Sequence, residues 1–412
     1  MPTRRGWATL GTGLAMWVAA RLIGSRDLHM IAAAITILPL LAIAFVRWSH
    51  PRLVVRRELS TSRAYPGARV TVTIAVENHG HTTTSYLLLE DAIPVGLGSP
   101  ARLVVTAIPP RNDHKVSYSV VARQRGRFTI GPLAVYHSDP FGLAKTKAQA
   151  GPEAELVVYP AVEDVDARSL VSQGAGSGDA AAKRLHRAAA EFYTMREYIT
   201  GDDLRRIHWP SVARTGTLMI RQDESTRRSS AILLLDTRSG ALGPQGSPGF
   251  ETAVSVAATL GRALARSGFS LRMTTVDATP RPVTEDVLLD MLAGIGPSRS
   301  TGFVHALAGL RSPVAADTTL ALVTAPPTGA EVAALSRTGA AFGRRLLVLI
   351  YPRPLRDLPP EAVAEIEGRA AAARGSLQRS GWEVVIMQPD GKLAETWRRT
   401  KTQKLQVAGS LS

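Results

Sequence analysis

Residues able to do chemistry are concentrated between Glu191 and Glu224. The stretch holds Arg196, Glu197, Asp202, Asp203, Arg205, Arg206, Arg214, Arg221, Asp223 and Glu224, interleaved with Tyr193, Tyr198, His208 and Trp209. Asp202, Asp203 and His208 would form a general acid–base set if they converged, because an imidazole titrates near neutral pH. A histidine beside a tryptophan in an arginine-rich helix is more often packed and hydrogen-bonded than catalytic, and the nearby arginines suffice to partner the aspartates. The favoured reading is a partly buried network of ion pairs and hydrogen bonds, since buried charges persist when partnered. Arg205, Arg214 and Arg221 carry planar forks that suit bidentate pairing with Asp202, Glu197 or Glu224. The chain has no G-x-S-x-G, H-E-x-x-H or P-loop, and no G-x-G-x-x-G between a strand and a helix. No catalytic residue is assigned, and the expectation is a protein that is not an enzyme.

A second candidate is Asp236, which ends the apolar strand AILLLDT ahead of a long helix. This arrangement resembles the start of a von Willebrand factor A domain, whose metal site reads D-x-S-x-S and holds Mg²⁺ through hard oxygen ligands. Here the run is Asp236-Thr237-Arg238-Ser239-Gly240, so Arg238 and Gly240 replace both hydroxyl ligands. Arginine puts a fixed positive charge where the cation should sit. The expectation is therefore no metal and no cofactor, with Asp236 capping a loop or pairing with Arg238. Mg²⁺ at Asp236 is the alternative.

The run R-E-Y-x-x-G-D-D-x-R-x-I-H-W-x-x-x-A-R-x-x-x-L-x-x-R, from Arg196 to Arg221, resembles the signature of the "domain of unknown function 58" family of bacterial proteins. R-G-R-F-x-I-G-P (Arg125–Pro132) and D-P-F-G-L (Asp139–Leu143) are similar to the same family. Proteins that look like this are commonly encoded beside MoxR-type AAA+ ATPases and membrane-bound transglutaminase-like proteins. The resemblance thus implies a membrane-anchored, cytoplasm-facing adaptor or scaffold working with such an ATPase on client proteins. Arg196, Glu197, Tyr198, Gly201, Asp202, Arg205, His208, Trp209, Arg214 and Arg221 would form an interdomain brace or a docking surface. The rival readings are a metal-dependent binding module at Asp236 and, behind it, a hydrolase around Asp202 and His208.

These residues must be positioned by a multidomain chain. Its 412 residues suffice for two or three cores. The absence of cysteine excludes disulfides, thiolate metal sites and a cysteine nucleophile. The net charge of +15 points to anionic partners, and residues 1–57 hold eight Arg against one Asp. Trp7–Ala20 and Leu28–Val46 are strongly apolar and read as a transmembrane hairpin over residues 1–50. Arg4 and Arg5 flank one end, and Arg47, Arg52, Arg56 and Arg57 the other. The positive-inside bias then places both ends, and the soluble parts, on the cytoplasmic side of the cell membrane. Lipid also accounts for much of the basic excess. Carboxylates nearly match arginines within the signature, which argues against a nucleic-acid partner.

Residues 51–165 read as an immunoglobulin- or fibronectin-like β-sandwich of six or seven short alternating strands. Phe141 is expected to plug a domain interface. Residues 166–190 are glycine-rich and read as a linker, and 191–228 carry the signature. Within it Phe192–Ile199 and Thr217–Asp223 have strand character. Asp202 is a candidate N-cap for a helix over Asp203–Arg214 that Pro210 interrupts, with Arg205 or Arg206 stacking on Trp209. Residues 229–412 alternate strand and helix, which predicts an open, mostly parallel α/β sheet of about five strands. Ligands in such sheets bind at the carboxyl ends of the strands, where Asp236 sits.

Overall fold

The computed structural model describes residues 1–49, 51–165, 194–199, 204, 207–222, 229–310 and 315–409. The expected linker, and Asp202 as a helix cap, lie outside the described residues. The chain divides into two compact units, Met1–Ala161 with Ala293–Ile295, and Val162–Leu292 with Gly296–Ser412.

The first unit begins with two helices, α1 (Arg4–Ile23) and α2 (Arg26–Trp48). Thr3 caps α1 by accepting the Gly6 N–H, and Ser25 caps α2 by accepting that of Leu28. Gly24 between them takes a left-handed φ of 74° that suits glycine. So short a link folds the helices back on each other, and Trp17 meets His29 edge-on at 6.2 Å. Among the described residues, α2 is the one helix long and apolar enough to cross a bilayer. The apolar side chains Trp7, Leu14, Val18, Ile37, Leu41 and Phe45 of the pair face outward.

The rest of this unit is β. The strands β1 (Leu53–Leu59), β3 (Arg69–Asn78) and β6 (Asp113–Val121) form one antiparallel sheet in the order β1-β3-β6. A second sheet joins β2 (Arg63–Ala64), β10 (Ala154–Val158) and β7 (Gly126–Ile130). The third has the order β5-β4-β8-β9, from Ala101–Val105, Leu87–Asp91, Leu133–Ser138 and Lys145–Ala150. Along β3 burial alternates residue by residue, so Val70, Val72, Ile74 and Val76 face a core shared with Leu87, Leu89, Leu133 and Leu156.

One buried carboxylate crosses that core. Asp91 on β4 accepts Arg57 Nη2 from β1 at 2.5 Å and the Tyr118 hydroxyl from β6 at 2.6 Å. Arg57 and Asp91 are almost fully buried, and Arg57 also donates to the carbonyls of Ile130 and Pro152. Burial and the bond to Asp91 push the Tyr118 phenol well above its ordinary range, so it stays a donor.

The turn Asp139–Leu143 is not the interface plug expected from the sequence. Phe141 is 65% exposed. Leu143 and Ala144 instead pack on Ala42 and Val46 of α2, while the Leu143 carbonyl accepts the Thr3 N–H at 2.8 Å.

In the second unit, β11 (Thr194–Glu197) pairs antiparallel with β12 (Met219–Gln222), and α3 (Trp209–Thr215) lies between them. Next comes a six-stranded sheet in the order β15-β14-β13-β16-β17-β18. The parallel members are β13 (Ser230–Leu235), β14 (Ser270–Thr275), β16 (Thr318–Thr324), β17 (Arg344–Ile350) and β18 (Glu383–Met387), and β15 (Arg281–Pro282) is an antiparallel edge. The helices are α4 (Ser239–Leu242), α5 (Pro248–Arg266), α6 (Glu285–Gly294), α7 (Phe303–Ala308), α8 (Gly329–Gly339), α9 (Pro360–Arg379) and α10 (Leu393–Gly409). Glu163 caps α10, accepting the N–H groups of Leu393 and Ala394 at 2.8 and 3.0 Å, where the helix dipole favours a carboxylate.

Replacing Arg57 by methionine leaves Asp91 buried without its cation. The expected result is a loss of about 3–5 kcal/mol from the unfolding transition of this unit, read by denaturant titration in mild detergent.

Candidate functional sites in the signature segment and at the carboxyl edge of the sheet

The signature segment is organised by two apolar residues. Ile207 bridges to Ile220 on β12, and both are buried. The His208 N–H donates to the Met219 carbonyl at 2.9 Å and the Tyr198 N–H to that of Leu218 at 2.8 Å, which ties the segment to its own hairpin. The helix starts later than the pattern of charges suggests. Pro210 stands in its first turn, where a missing N–H costs nothing, so it opens α3 instead of interrupting a helix that began at Asp203. His208 holds the cap position, and its Nδ1 lies 2.9 Å from Ser211 Oγ, a contact within one turn. Gly216, at φ 73°, ends the helix and returns the chain to β12.

The expected network of ion pairs rests mostly on side chains that lie outside the described residues. Glu197, Trp209 and Arg214 are exposed, Trp209 by 65%, while Tyr198 and His208 are half-buried. By backbone register Arg196 lies opposite Ile220, and Arg221 opposite Met195. Gly201, Asp202, Asp203, Arg205 and Arg206 lie outside the described residues, as do the side chains of Arg196 and Arg221. The proposed stacking of Arg205 or Arg206 on Trp209 lies outside them too.

Asp236 is fully buried at the end of β13, and its N–H donates to the Val323 carbonyl of β16. Both carboxylate oxygens are occupied. Oδ1 accepts the Arg238 N–H and Nε, each at 3.0 Å, and Oδ2 accepts Arg238 Nη2 at 2.8 Å and Thr324 Oγ1 at 2.6 Å. The remaining arm of the fork, Nη1, donates to Glu331 Oε1, and Glu331 Oε2 caps α8 by accepting the Thr328 N–H at 2.7 Å. The guanidinium carbon stacks 4.4 Å from the centre of the Phe303 ring. Burial works against the charge of Arg238, but the hydrogen bonds and charge of Asp236, then those of Glu331, outweigh it and raise its pKa further. Arg238 thus bridges the carboxylates of Asp236 and Glu331. Among the described residues no group of three or more His, Cys, Asp or Glu side chains is placed to hold a metal ion.

Above this network opens a cleft of about 440 Å³, with Arg238, Ser239, Arg299, Thr328, Glu331 and Arg369 among its lining residues. Arg369 Nη1 lies 4.0 Å from Glu365 Oε1. The sequence reading did not name Glu331, Thr324 or Phe303. A signal existed for the first: Thr328-x-x-Glu331 is a capping-box pattern. No local signal links Thr324 or Phe303 to Asp236.

Residues 194–321, which include the signature hairpin, Asp236 and Arg238, match the family model described as "Protein of unknown function DUF58". The chain is a DUF58-family protein. A curated relative, the uncharacterized protein YeaD of Bacillus subtilis (strain 168), is 24% identical over 220 residues, covering 52% of this chain and 53% of its own. The chain therefore spans about half the length of that relative. Among solved structures, the CARDB domain of the PF1109 protein from Pyrococcus furiosus is similar at a TM-score of 0.21 and 14% identity, over 26% of this chain and 93% of that one. The DNA glycosylase AlkC of Pseudomonas fluorescens is similar at 0.19 and 13%, over 34% of this chain and 42% of that one. At these scores neither bears on the fold or function of the DUF58 chain.

Within this DUF58 protein, Arg238→Met strands two carboxylates, one of them wholly buried. It is expected to cost about 3–5 kcal/mol in chemical denaturation. Removing the Asp236 charge as well, in Asp236→Asn/Arg238→Met, should recover part of that loss, which a double-mutant cycle measures.

Proposed function

We propose that this protein is a membrane-anchored adaptor or scaffold without chemistry of its own, facing the cytoplasm and working with a MoxR-type AAA+ ATPase on client proteins. The observation that carries this reading is Trp209. A tryptophan at the centre of the family signature stands 65% exposed on α3, which also exposes Arg214, while Ile207 and Ile220 are buried. Exposed tryptophan and arginine are the side chains that anchor protein–protein contacts. They serve a docking surface better than an internal brace.

Anchoring comes from α1 and α2 as an inserted hairpin. The α2 segment is about 34 Å long at the α-helical rise, enough to cross the hydrocarbon core. The arginines at the outer ends of the pair orient it by the positive-inside bias. The β unit then acts as an immunoglobulin-like stalk. The second unit is von Willebrand A-like: its sheet order has an antiparallel edge strand, and Asp236 stands at the carboxyl end of its first strand. In this reading Asp236 holds Arg238 instead of a divalent cation, so partner binding needs no metal. The identity of the ATPase, and of a transglutaminase-like neighbour, rests on the resemblance of the signature alone.

The test is co-purification from gently solubilised native membranes with wild type and Trp209→Ala. Because Trp209 is exposed, the variant should keep its thermal unfolding midpoint. A AAA+ ATPase retained by wild type and lost by the variant is the expected result. An ATPase that accompanies both, or neither even after crosslinking, overturns the docking role of Trp209.

A further inference from the structure

We propose that the Asp139–Leu143 turn is a membrane-surface anchor, with Phe141 seated at the headgroup–acyl boundary of the leaflet from which the α1–α2 hairpin emerges. The proposal rests on the reading of that hairpin as membrane-inserted, and its partner is an anionic lipid surface.

The turn is rigid. The buried Asp139 carboxylate accepts the Phe141 N–H at 2.9 Å through one oxygen and the Ala144 N–H at 2.5 Å through the other. Gly142 takes a left-handed φ of 69° to close it. Phe141, at its tip, is held outward by the backbone rather than by packing.

The turn also lies at the level of the helices and not beyond their ends. On α1, Thr3 Oγ1 donates to the Gly142 carbonyl at 2.7 Å, and a Cβ on Gly6 would overlap the Leu143 carbonyl. On α2, Leu143 and Ala144 pack on Ala42 and Val46, while the helix runs on to Trp48. At the α-helical rise these positions are about 9 and 3 Å inside its end. Insertion of the helices therefore carries the turn to interfacial depth.

The surroundings have the composition of an interface. Trp7 and Trp48 lie in the end turns of the two helices and are exposed, Trp48 by 94%. Aromatic rings favour that depth. Arg4, Arg5 and Arg47 occupy the same end turns. Lys145 and Lys147, on β9 next to the turn, both project over the Tyr136 ring. Basic residues at this level complement anionic headgroups. The loop exposes an aromatic side chain amid cations, an arrangement suited to lipid and costly in water.

The absence of cysteine makes the test direct. Single-cysteine variants of the full chain carry an environment-sensitive fluorophore at Phe141→Cys, Ile37→Cys or Val95→Cys. Ile37 is an outward-facing residue midway along α2, and Val95 is an exposed residue beyond the Asp91–Leu133 end of the β4–β8 pair, opposite the end that leads to Asp139. Each is reconstituted in vesicles of phosphatidylcholine and phosphatidylglycerol, with a nitroxide near either the top or the methyl end of the acyl chain. The expected result is Phe141 quenched by the shallow nitroxide at least about twofold more than Val95. Ile37 should then be quenched most by the deep one. If Ile37 is quenched and Phe141 behaves as Val95 does, membrane anchoring stands and the anchor role of the turn is wrong. If neither is quenched, the helices are not inserted, and the proposal falls together with the reading beneath it.

Discussion

Asp236 sits at the end of the central strand of the parallel sheet with no exposure to water, and a carboxylate in that position has to be neutralised from within the protein. The partner is close in sequence. Arg238, two residues on, folds back with its backbone N–H and two arms of its guanidinium, and Thr324 from the adjacent strand fills the fourth acceptor site. The third arm reaches Glu331, which is thereby fixed as the cap of α8. One buried charge thus aligns the ends of two strands with the start of a helix. The cleft at the carboxyl edge inherits its shape from that alignment. A guanidinium has fixed geometry and is part of the chain, so this edge of the sheet keeps a constant shape.

The first unit solves the same problem in the same way. Arg57, Asp91 and Tyr118 come from three strands in two sheets and meet at one carboxylate inside an otherwise aliphatic core. Such a group contributes less to net stability than to register, because one sheet must present both donors at the height of the carboxylate carried by the other. Asp139 does this on a smaller scale, holding the turn against which both helices rest.

The signature segment divides its labour between apolar and polar residues. Ile207 and Ile220 supply its buried contacts, and backbone hydrogen bonds supply its shape. Trp209 and Arg214 remain at the surface. Here the described charged side chains point outward from a small hairpin.

Much of the architecture was legible in the sequence because it is set by local patterning. Alternation along Arg69–Asn78 specifies a strand with one buried face, and the apolar run within Arg26–Trp48 specifies a helix of membrane-spanning length. Strand and helix signals after Ser230 give a parallel sheet, and the run from Arg196 to Arg221 identifies the family. Local pattern failed where two short-range preferences competed. Charge spacing pointed to a helix from Asp203, but the proline ring set its start at Trp209. It failed too for α7, whose six residues are too few to show a period although Phe303 is fully buried. The turn at Phe141 was recognised as a turn, but not what lay beside it, since that depends on where Thr3 and Val46 arrive. Only the tertiary structure brought Thr324 and Glu331, 88 and 93 residues from their partners, to Asp236 and Arg238. Strand order decides such meetings, and strand order follows from how whole faces bury each other, which no short window of sequence records.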